Sequence, residues 1–277
     1  MLTREKVFLD SLLEEDKNFL EPYMSPQKFY VDAITLGLEL ELVLVNSRGV
    51  VVPKAYQIVE ELRERDPATA YFKWKFFAGQ LEINTRVHMG IGSLIDELFT
   101  HVDLAQEVAG YHGWHFEAIS YLDTPVEFGL KDITPVGYNP WYHDYAAHNW
   151  HKVDPMCRVA ALHTHVGGRD LQHVVDMHDS MVCATRELQR DPNWISPKRL
   201  QAFKTIYPNF LNIPEYEDVQ GLLAHAKSIG FKEYLSEYYA SVRISRPYAT
   251  AEFRLDDATL DPKRIESHLN TLASIVS

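Results

Sequence analysis

The chain has 277 residues, 46% of them hydrophobic, with 27 basic against 39 acidic side chains and a formal charge of -12. That apolar content supports a substantial core and excludes a disordered protein, and the acidic balance argues against a broad surface for duplex nucleic acid. The two cysteines, Cys157 and Cys183, are too few for a disulfide framework and lie outside metal-ligand spacing, so buried thiols in a reducing compartment are expected. The amino-terminal MLTREKVFLDSLLEEDKNFL predicts an amphipathic helix without the continuous apolar core of a signal peptide. No apolar run approaches the roughly 20 residues of a membrane span, and a cytoplasmic protein without a membrane partner is the expectation.

Pro22 and Pro26 mark a connection into Thr35–Asn46, TLGLELELVLVN, where leucine alternates from Leu36 to Leu44 and predicts a strand. NSRG, Asn46–Gly49, is turn chemistry with Gly49 free to take a positive φ, and predicts a hairpin into the valines that follow. PKAYQIVEELRERDP opens on Pro53, spaces Ile58 and Leu62 four apart and stops near Pro67, the pattern of a short helix. YFKWKFFAGQLEINTRV predicts two strands around Ala78 and Gly79. From Gly92 to Gly113 the stripe Leu94, Leu98, Val102 and Ala105 predicts a helix, and WHFEAISYL a strand after it. Residues 122 to 155, with Pro125, Pro135, Pro140, Pro155 and many aromatics, fit neither period and read as a long functional loop. CRVAALHTHVGGRD predicts a strand ending at Gly167 and Gly168, then a helix to about Arg190. One or two helices, the strands ASVRIS and TAEFRL, and a helix from Asp261 complete the chain. Without repeats or linkers, residues 1–277 are expected to form a single catalytic domain. Its class is α+β, a curved, mostly antiparallel sheet with helices packed on one face and the other face free to carry a site.

Period-two alternation puts Leu36, Leu38, Leu40, Leu42 and Leu44 on one face of the strand and Glu39 and Glu41 on the other, their Cα atoms about 6.5–7 Å apart. By the same arithmetic His163 and His165 share a face, Glu252 and Arg254 share a face, and Glu82 stands opposite Leu81 and Ile83. Carboxylates with one or two imidazoles suit a hard cation, Mg²⁺ or Mn²⁺, better than zinc. Each feature alone also has a plain structural explanation. Glu39 and Glu41 could line a solvated strand face, although Val43 and Val45 on that face count against it. Glu82 could be exposed, the histidines simply hydrogen-bonded, and Glu252 salt-bridged to Arg254. His143, His148 and His151 have no spacing that fixes a common face and read as aromatic loop or plain surface.

In order, GLELE, QLEINT, ALHTHVGG and SVRIS leading into TAEFRLDDATLDP resemble the carboxylate-amine ligase family related to bacterial and plant glutamate-cysteine ligases, within the glutamine-synthetase-like superfamily. The resemblance runs from about Leu36 to Pro262. It implies a glutamine-synthetase-like catalytic domain that uses ATP and Mg²⁺ (or Mn²⁺) to join a small-molecule carboxylate, such as the side chain of a glutamate-like acid, to an amine through an acyl phosphate. It implies that Glu39, His163 and Glu252 hold one divalent ion and that Glu41 and Glu82 hold a second. Arg254 would meet the phosphate or acyl phosphate with His165 supporting the same cluster, and Arg243 would lie near the nucleotide phosphates or the carboxylate. Gln80, Asn84 and Thr85 would border the acidic substrate, and residues 122 to 155 would form a lid that excludes water. Many family members carry a further acidic residue where this chain has Leu40, which alternation directs to the core. The chain is also shorter than typical members, so glutamate and cysteine are not taken as its substrates. A metal-dependent hydrolase built on His163, His165 and the glutamates, or a non-catalytic nucleotide-binding relative, are the competing readings. A homo-oligomer is compatible with any of them.

Overall fold

The computed structural model describes residues 12–23, 33–65, 71–123, 127–231, 239–245 and 248–277. Its sheet is built from β1 (Thr35–Asn46), β2 (Phe72–Trp74), β3 (Gln80–Asn84), β4 (Trp114–Glu117), β5 (Leu162–Gly167), β6 (Val242–Ser245) and β7 (Thr250–Phe253). The strand order is β2-β3-β1-β5-β7-β6, with β4 also paired to β1, and every pairing is antiparallel. The helices are α1 (Glu14–Leu20), α2 (Ala55–Arg65), α3 (Ile91–Tyr111) and α4 (Pro140–Cys157), then α5 (Leu171–Leu188), α6 (Pro197–Ile206), α7 (Val219–Ile229) and α8 (Pro262–Val276).

The unbroken run of β1 makes it the organising strand. Val43 pairs with both Gln80 and Glu117, so β3 and β4 lie on opposite edges of β1, and residues 35–40 pair with β5. The five alternating leucines are buried, and their cross-strand partners Leu81, Ile83 and Leu162 continue the apolar layer. Each such side chain contributes about 1.5–3 kcal/mol on burial. Helices α2, α3 and α5 pack against this face. Phe72, opposite Ile83, meets His101 of α3, and Phe253, opposite Thr164, meets Trp194, which in turn stacks on His268 of α8. The polar residues of the same strands are therefore directed to the other face. The Asn46–Gly49 turn forms as expected, with Gly49 at φ +71° and Asn46 Oδ1 accepting from the backbone N–H of Arg48 and Val50.

Three expectations are corrected. Residues 140–157 are helical: Asn139 caps α4 by accepting from Trp141 N, Pro140 occupies the first turn and Pro155 the last. Proline is tolerated at the first turn, where its missing N–H would have had no helical partner. The helical period was hidden because Asn149 is non-helical (φ -129°, ψ 32°) and kinks the helix, and because only Ala146, Val153 and Cys157 of α4 are buried. The strand expected over WHFEAISYL stops at Glu117, and Tyr121 makes only an isolated bridge to Val159. Cys157 is buried but Cys183 is exposed, since α5 turns Met181, Val182 and Thr185 inward instead. The first half of the expected amino-terminal helix and Pro26 lie outside the described residues; Glu14–Leu20 is helical. Among the described residues no helix is long and apolar enough to cross a membrane.

The segment leaving β3 is fixed to α3 by Glu97, which accepts from the backbone N–H and Nε of Arg86 and contacts His88 Nε2. Burial opposes ionisation of Glu97, but the hydrogen bonds from His88 and Arg86 outweigh it and pull the pKa down from 4.5 to about 2. The carboxylate thus stabilises the fold above the unfolded-state value, and this contribution fades as pH falls through about 4.5 toward about 2. Urea unfolding of Glu97→Gln should show a loss of about 1–2 kcal/mol at neutral pH, after allowance for solvent screening, and a smaller loss near pH ~3.5. An equal loss at both values would remove the carboxylate's charge from the explanation.

Candidate active site

Register turns the polar face into cross-strand rows. Lys73, Glu82 and Glu41 face one another across β2, β3 and β1, and Asn84, Glu39 and His163 across β3, β1 and β5. Gly37, His165, Glu252 and Arg243 form the next row across β1, β5, β7 and β6. Four strands from three separate stretches of the sequence therefore deliver Glu39, His163, His165, Glu252 and Arg243 to one patch, and Arg254 follows directly on β7.

Among the described residues, Glu39, His165 and Glu252 are the group able to hold a metal ion, with one ligand atom from each lying within 4.8 Å of the others. His163 Nδ1 lies 3.3 Å from Glu39 Oε2 and 3.8 Å from Glu252 Oε1, so it borders the same point. Glu252 is fully buried; Arg243 donates from Nε to its Oε2 at 2.6 Å and from Nη2 to its Oε1 at 3.2 Å, and Arg254 Nη1 donates to the same Oε1. Burial alone would raise the Glu252 pKa, but Arg254 and Arg243 reverse this and hold it far below the usual carboxylate range. Glu39 is half-buried, and the imidazoles of His163 and His165 beside it overcome the cost of that burial and hold its pKa well below the ordinary value. Burial and then Arg254 push His163 down, whereas for His165 the charges of Glu252 and Glu39 overcome burial and raise its pKa.

The donor set fits a hard divalent cation. His165 Nδ1 bonds Thr250 Oγ1 at 2.8 Å, while its buried Nε2, 3.4 Å from Glu39 Oε1, has no hydrogen-bond partner. An unbonded ring nitrogen fixed by its other nitrogen and flanked by two carboxylates is the arrangement a metal ligand requires. Glu252 Oε2 accepts only from Arg243 Nε and so keeps acceptor capacity for a cation.

Glu41 and Glu82 are arranged differently. Lys75 Nζ sits between them, 2.9 Å from Glu41 Oε1 and 2.6 Å from Glu82 Oε2. Burial would lower the Lys75 pKa, but the two carboxylates raise it well above the usual lysine value. Burial likewise opposes ionisation of Glu41, yet Lys75 keeps its pKa low.

A cavity of about 260 Å³ opens beside the Glu39 cluster, lined in part by Gly37, Asn84, Thr85, Arg86, His165 and Tyr248. Gly37 shares the polar face with Glu39, and a side chain there would project between His165 and Thr85. Of the three residues expected at the acid site, Asn84 and Thr85 line the cavity. Thr85 Oγ1 is already engaged, accepting from Leu38 N at 2.9 Å and donating to Arg86 O at 3.0 Å. Gln80 is not among the lining residues; its Nε2 donates to Val159 O at 2.7 Å and fastens β3 to the chain before β5. His143 bonds Thr134 O, and His148 and His151 are exposed on α4, so they form no cluster. Sequence reasoning passed over Lys73, Lys75, Arg86, Thr250 and Tyr248. Lys73 and Lys75 alternate on the face of Glu82, and Thr250 on that of Glu252, so period two could have found them; Tyr248 sits in a turn without a period.

Removing the charge of Glu252 leaves Arg243 and Arg254 facing each other without their common partner. Glu252→Gln should therefore cost about 3 kcal/mol in urea unfolding, and Arg243→Ala clearly less because its side chain is partly solvated. Equal costs would mean the guanidinium pair is not held together by this carboxylate.

Residues 35–182, more than half of the chain, match the model of a family described as glutamate-cysteine ligase family 2. The matched region contains β1 with Glu39 and Glu41, β3 with Glu82, and β5 with both histidines. A search of curated proteins finds no match. Among solved structures, the glutamate-cysteine ligase of Francisella tularensis in complex with AMP aligns with a TM-score of 0.62 at 12% identity, over 90% of this chain and 67% of that one. A bifunctional glutathione synthetase from Pasteurella multocida aligns with a TM-score of 0.61 at 13% identity, over 95% of this chain. The chain spans only 39% of the length of that synthetase. At such identities the likeness is one of fold, an α+β architecture with an open antiparallel sheet. The match over residues 35–182 carries more, and by it the chain belongs to glutamate-cysteine ligase family 2.

Proposed function

We propose that the protein is an ATP-dependent carbon-nitrogen ligase that activates the carboxylate of a small acid and joins it to an amine. The observation that carries this reading is the convergence of Glu39, His165 and Glu252 within 4.8 Å, bordered by His163 and by two arginines, in a member of this ligase family. The Francisella ligase of similar fold was solved in complex with AMP, which supports nucleotide use here.

The chemistry runs in two displacements. A carboxylate oxygen of the acid attacks the γ-phosphorus of ATP and ADP leaves; the amine nitrogen then attacks the acyl carbon, phosphate leaves and the amide forms. Negative charge builds on the transferring phosphoryl group and must be neutralised. A divalent ion, Mg²⁺ or Mn²⁺, held by Glu39, His163, His165 and Glu252 would supply part of that positive charge. Arg243 and Arg254 supply more: each guanidinium has five N–H donors and gives at most two to Glu252, so donors remain for phosphate oxygens. Glu252 holds both arginines in place before substrate arrives, so little reorganisation is needed in the transition state. Asn84 and Arg86 at the cavity wall are the groups to orient the acid, with Gly37 leaving room for it beside His165.

With ATP, Mg²⁺, a panel of small acids and hydroxylamine as the amine, the protein should form acyl hydroxamate and ADP in equal amounts. Glu39→Gln should lower that turnover by about 10²–10³-fold while the protein stays folded. Hydrolysis of an ester or amide without nucleotide would favour a hydrolase instead. Nucleotide binding by calorimetry without any turnover would mark a non-catalytic relative.

A further inference from the structure

The cavity edge with Val87 and the His268–Asp256 and His178–Asp179 pairs are either part of the site above or have their partners within the fold. The polar face holds one feature that is neither. We infer that the Lys75 ammonium is a built-in cation that takes the place of a second divalent ion between Glu41 and Glu82, so that the site works with a single dissociable metal ion. The inference deepens the proposed ligase reading and rests on it.

Every oxygen of the Glu41–Glu82 pair is already engaged. Glu41 Oε1 pairs with Lys75 at 2.9 Å, and Glu41 Oε2 accepts from Ala161 N at 2.9 Å. Glu82 Oε2 accepts from Lys75 at 2.6 Å, and Glu82 Oε1 accepts from Lys73 at 3.2 Å and from Asn84 Nδ2 at 3.1 Å. A divalent ion bridging the two carboxylates would need the very oxygens that Lys75 holds, and would meet the ammonium at like-charge distance. The neighbouring cluster differs in holding a buried imidazole nitrogen, His165 Nε2, that has no hydrogen-bond partner.

Lys75 is also built into position. It follows β2 by one residue, and its carbonyl accepts at 2.6 Å from the hydroxyl of the buried Thr134. Its side chain is 28% exposed, whereas those of Glu41 and Glu82 are 11% and 6% exposed, so the ammonium reaches inward to meet them. Lys73, two residues earlier on the same face, reinforces the arrangement from the open side of Glu82. An ammonium on a covalent tether keeps its place at any metal concentration, so it offers the electrostatic part of what a second ion would give without its dissociation.

Equilibrium dialysis of the full chain with Mn²⁺ alone tests this, because it counts ions independently of turnover. The wild-type chain and Lys75→Arg should each bind a single Mn²⁺, lost in Glu39→Gln, and Lys75→Met should bind a second that is lost again when Glu82→Gln is added. Mn²⁺ should also raise the melting temperature of Lys75→Met more than that of the wild type. A second ion on the wild type, or no gain in a folded Lys75→Met, would overturn the inference and leave the ligase reading standing. No Mn²⁺ on the wild type would overturn both. The wild-type count needs no variant, so it decides even if Lys75→Met does not fold.

Discussion

A carboxylate taken out of water carries a desolvation penalty of several kcal/mol, and four glutamates, Glu39, Glu41, Glu82 and Glu252, lie close together on one face of this sheet. The rest of the polar face follows from how positive charge is brought to them. Glu252 is held by Arg243 and Arg254, and Glu41 and Glu82 by Lys75, with Lys73 added on Glu82. Glu39 is different. Its partners are the two imidazoles, which carry charge only when protonated, and beside it, in the next row, stands the buried His165 Nε2 without a hydrogen bond. The polar face therefore divides into carboxylates with permanent cationic partners and one carboxylate whose partners can themselves act as ligands.

The leucine face makes this division affordable in structural terms. Five alternating leucines place β1 in the core layer that helices α2, α3 and α5 cover, and that burial fixes the register as well as the strand, since a slip of one residue would exchange leucines for glutamates. Leu40 shows the coupling: it is fully buried between the residues that carry the two carboxylates, and its packing determines where both point. The chemistry of the site is thus set by a constraint on its reverse side.

Period-two alternation made much of this legible in the sequence. It assigned the directions of Glu39, Glu41, Glu82, His163, His165 and Glu252 without any structure, because side-chain direction along a strand is a local property. Which strands stand next to one another is a non-local property. Nothing in QLEIN and FKWKF taken separately says that Lys75 will lie between Glu41 and Glu82, since that depends on the pairing of β2, β3 and β1. Gln80 illustrates the same limit: its direction followed from alternation, but its bond to Val159 O comes from a segment far along the chain. Helix α4 was obscured for another reason, as a kink at Asn149 and only three buried side chains erase the periodic signal on which recognition depends.

The ligase reading places the cation and nucleotide centre at the cluster of Glu39, His165 and Glu252, which spans two adjacent cross-strand rows. Crystals grown with Mn²⁺ and a non-hydrolysable ATP analogue, measured at a wavelength where manganese scatters anomalously, test it most directly. An anomalous peak bounded by Glu39, His165 and Glu252 is expected, with the analogue's phosphates reaching toward Arg243 and Arg254. Manganese and nucleotide bound together away from this face, with the Glu39 cluster empty, would contradict it.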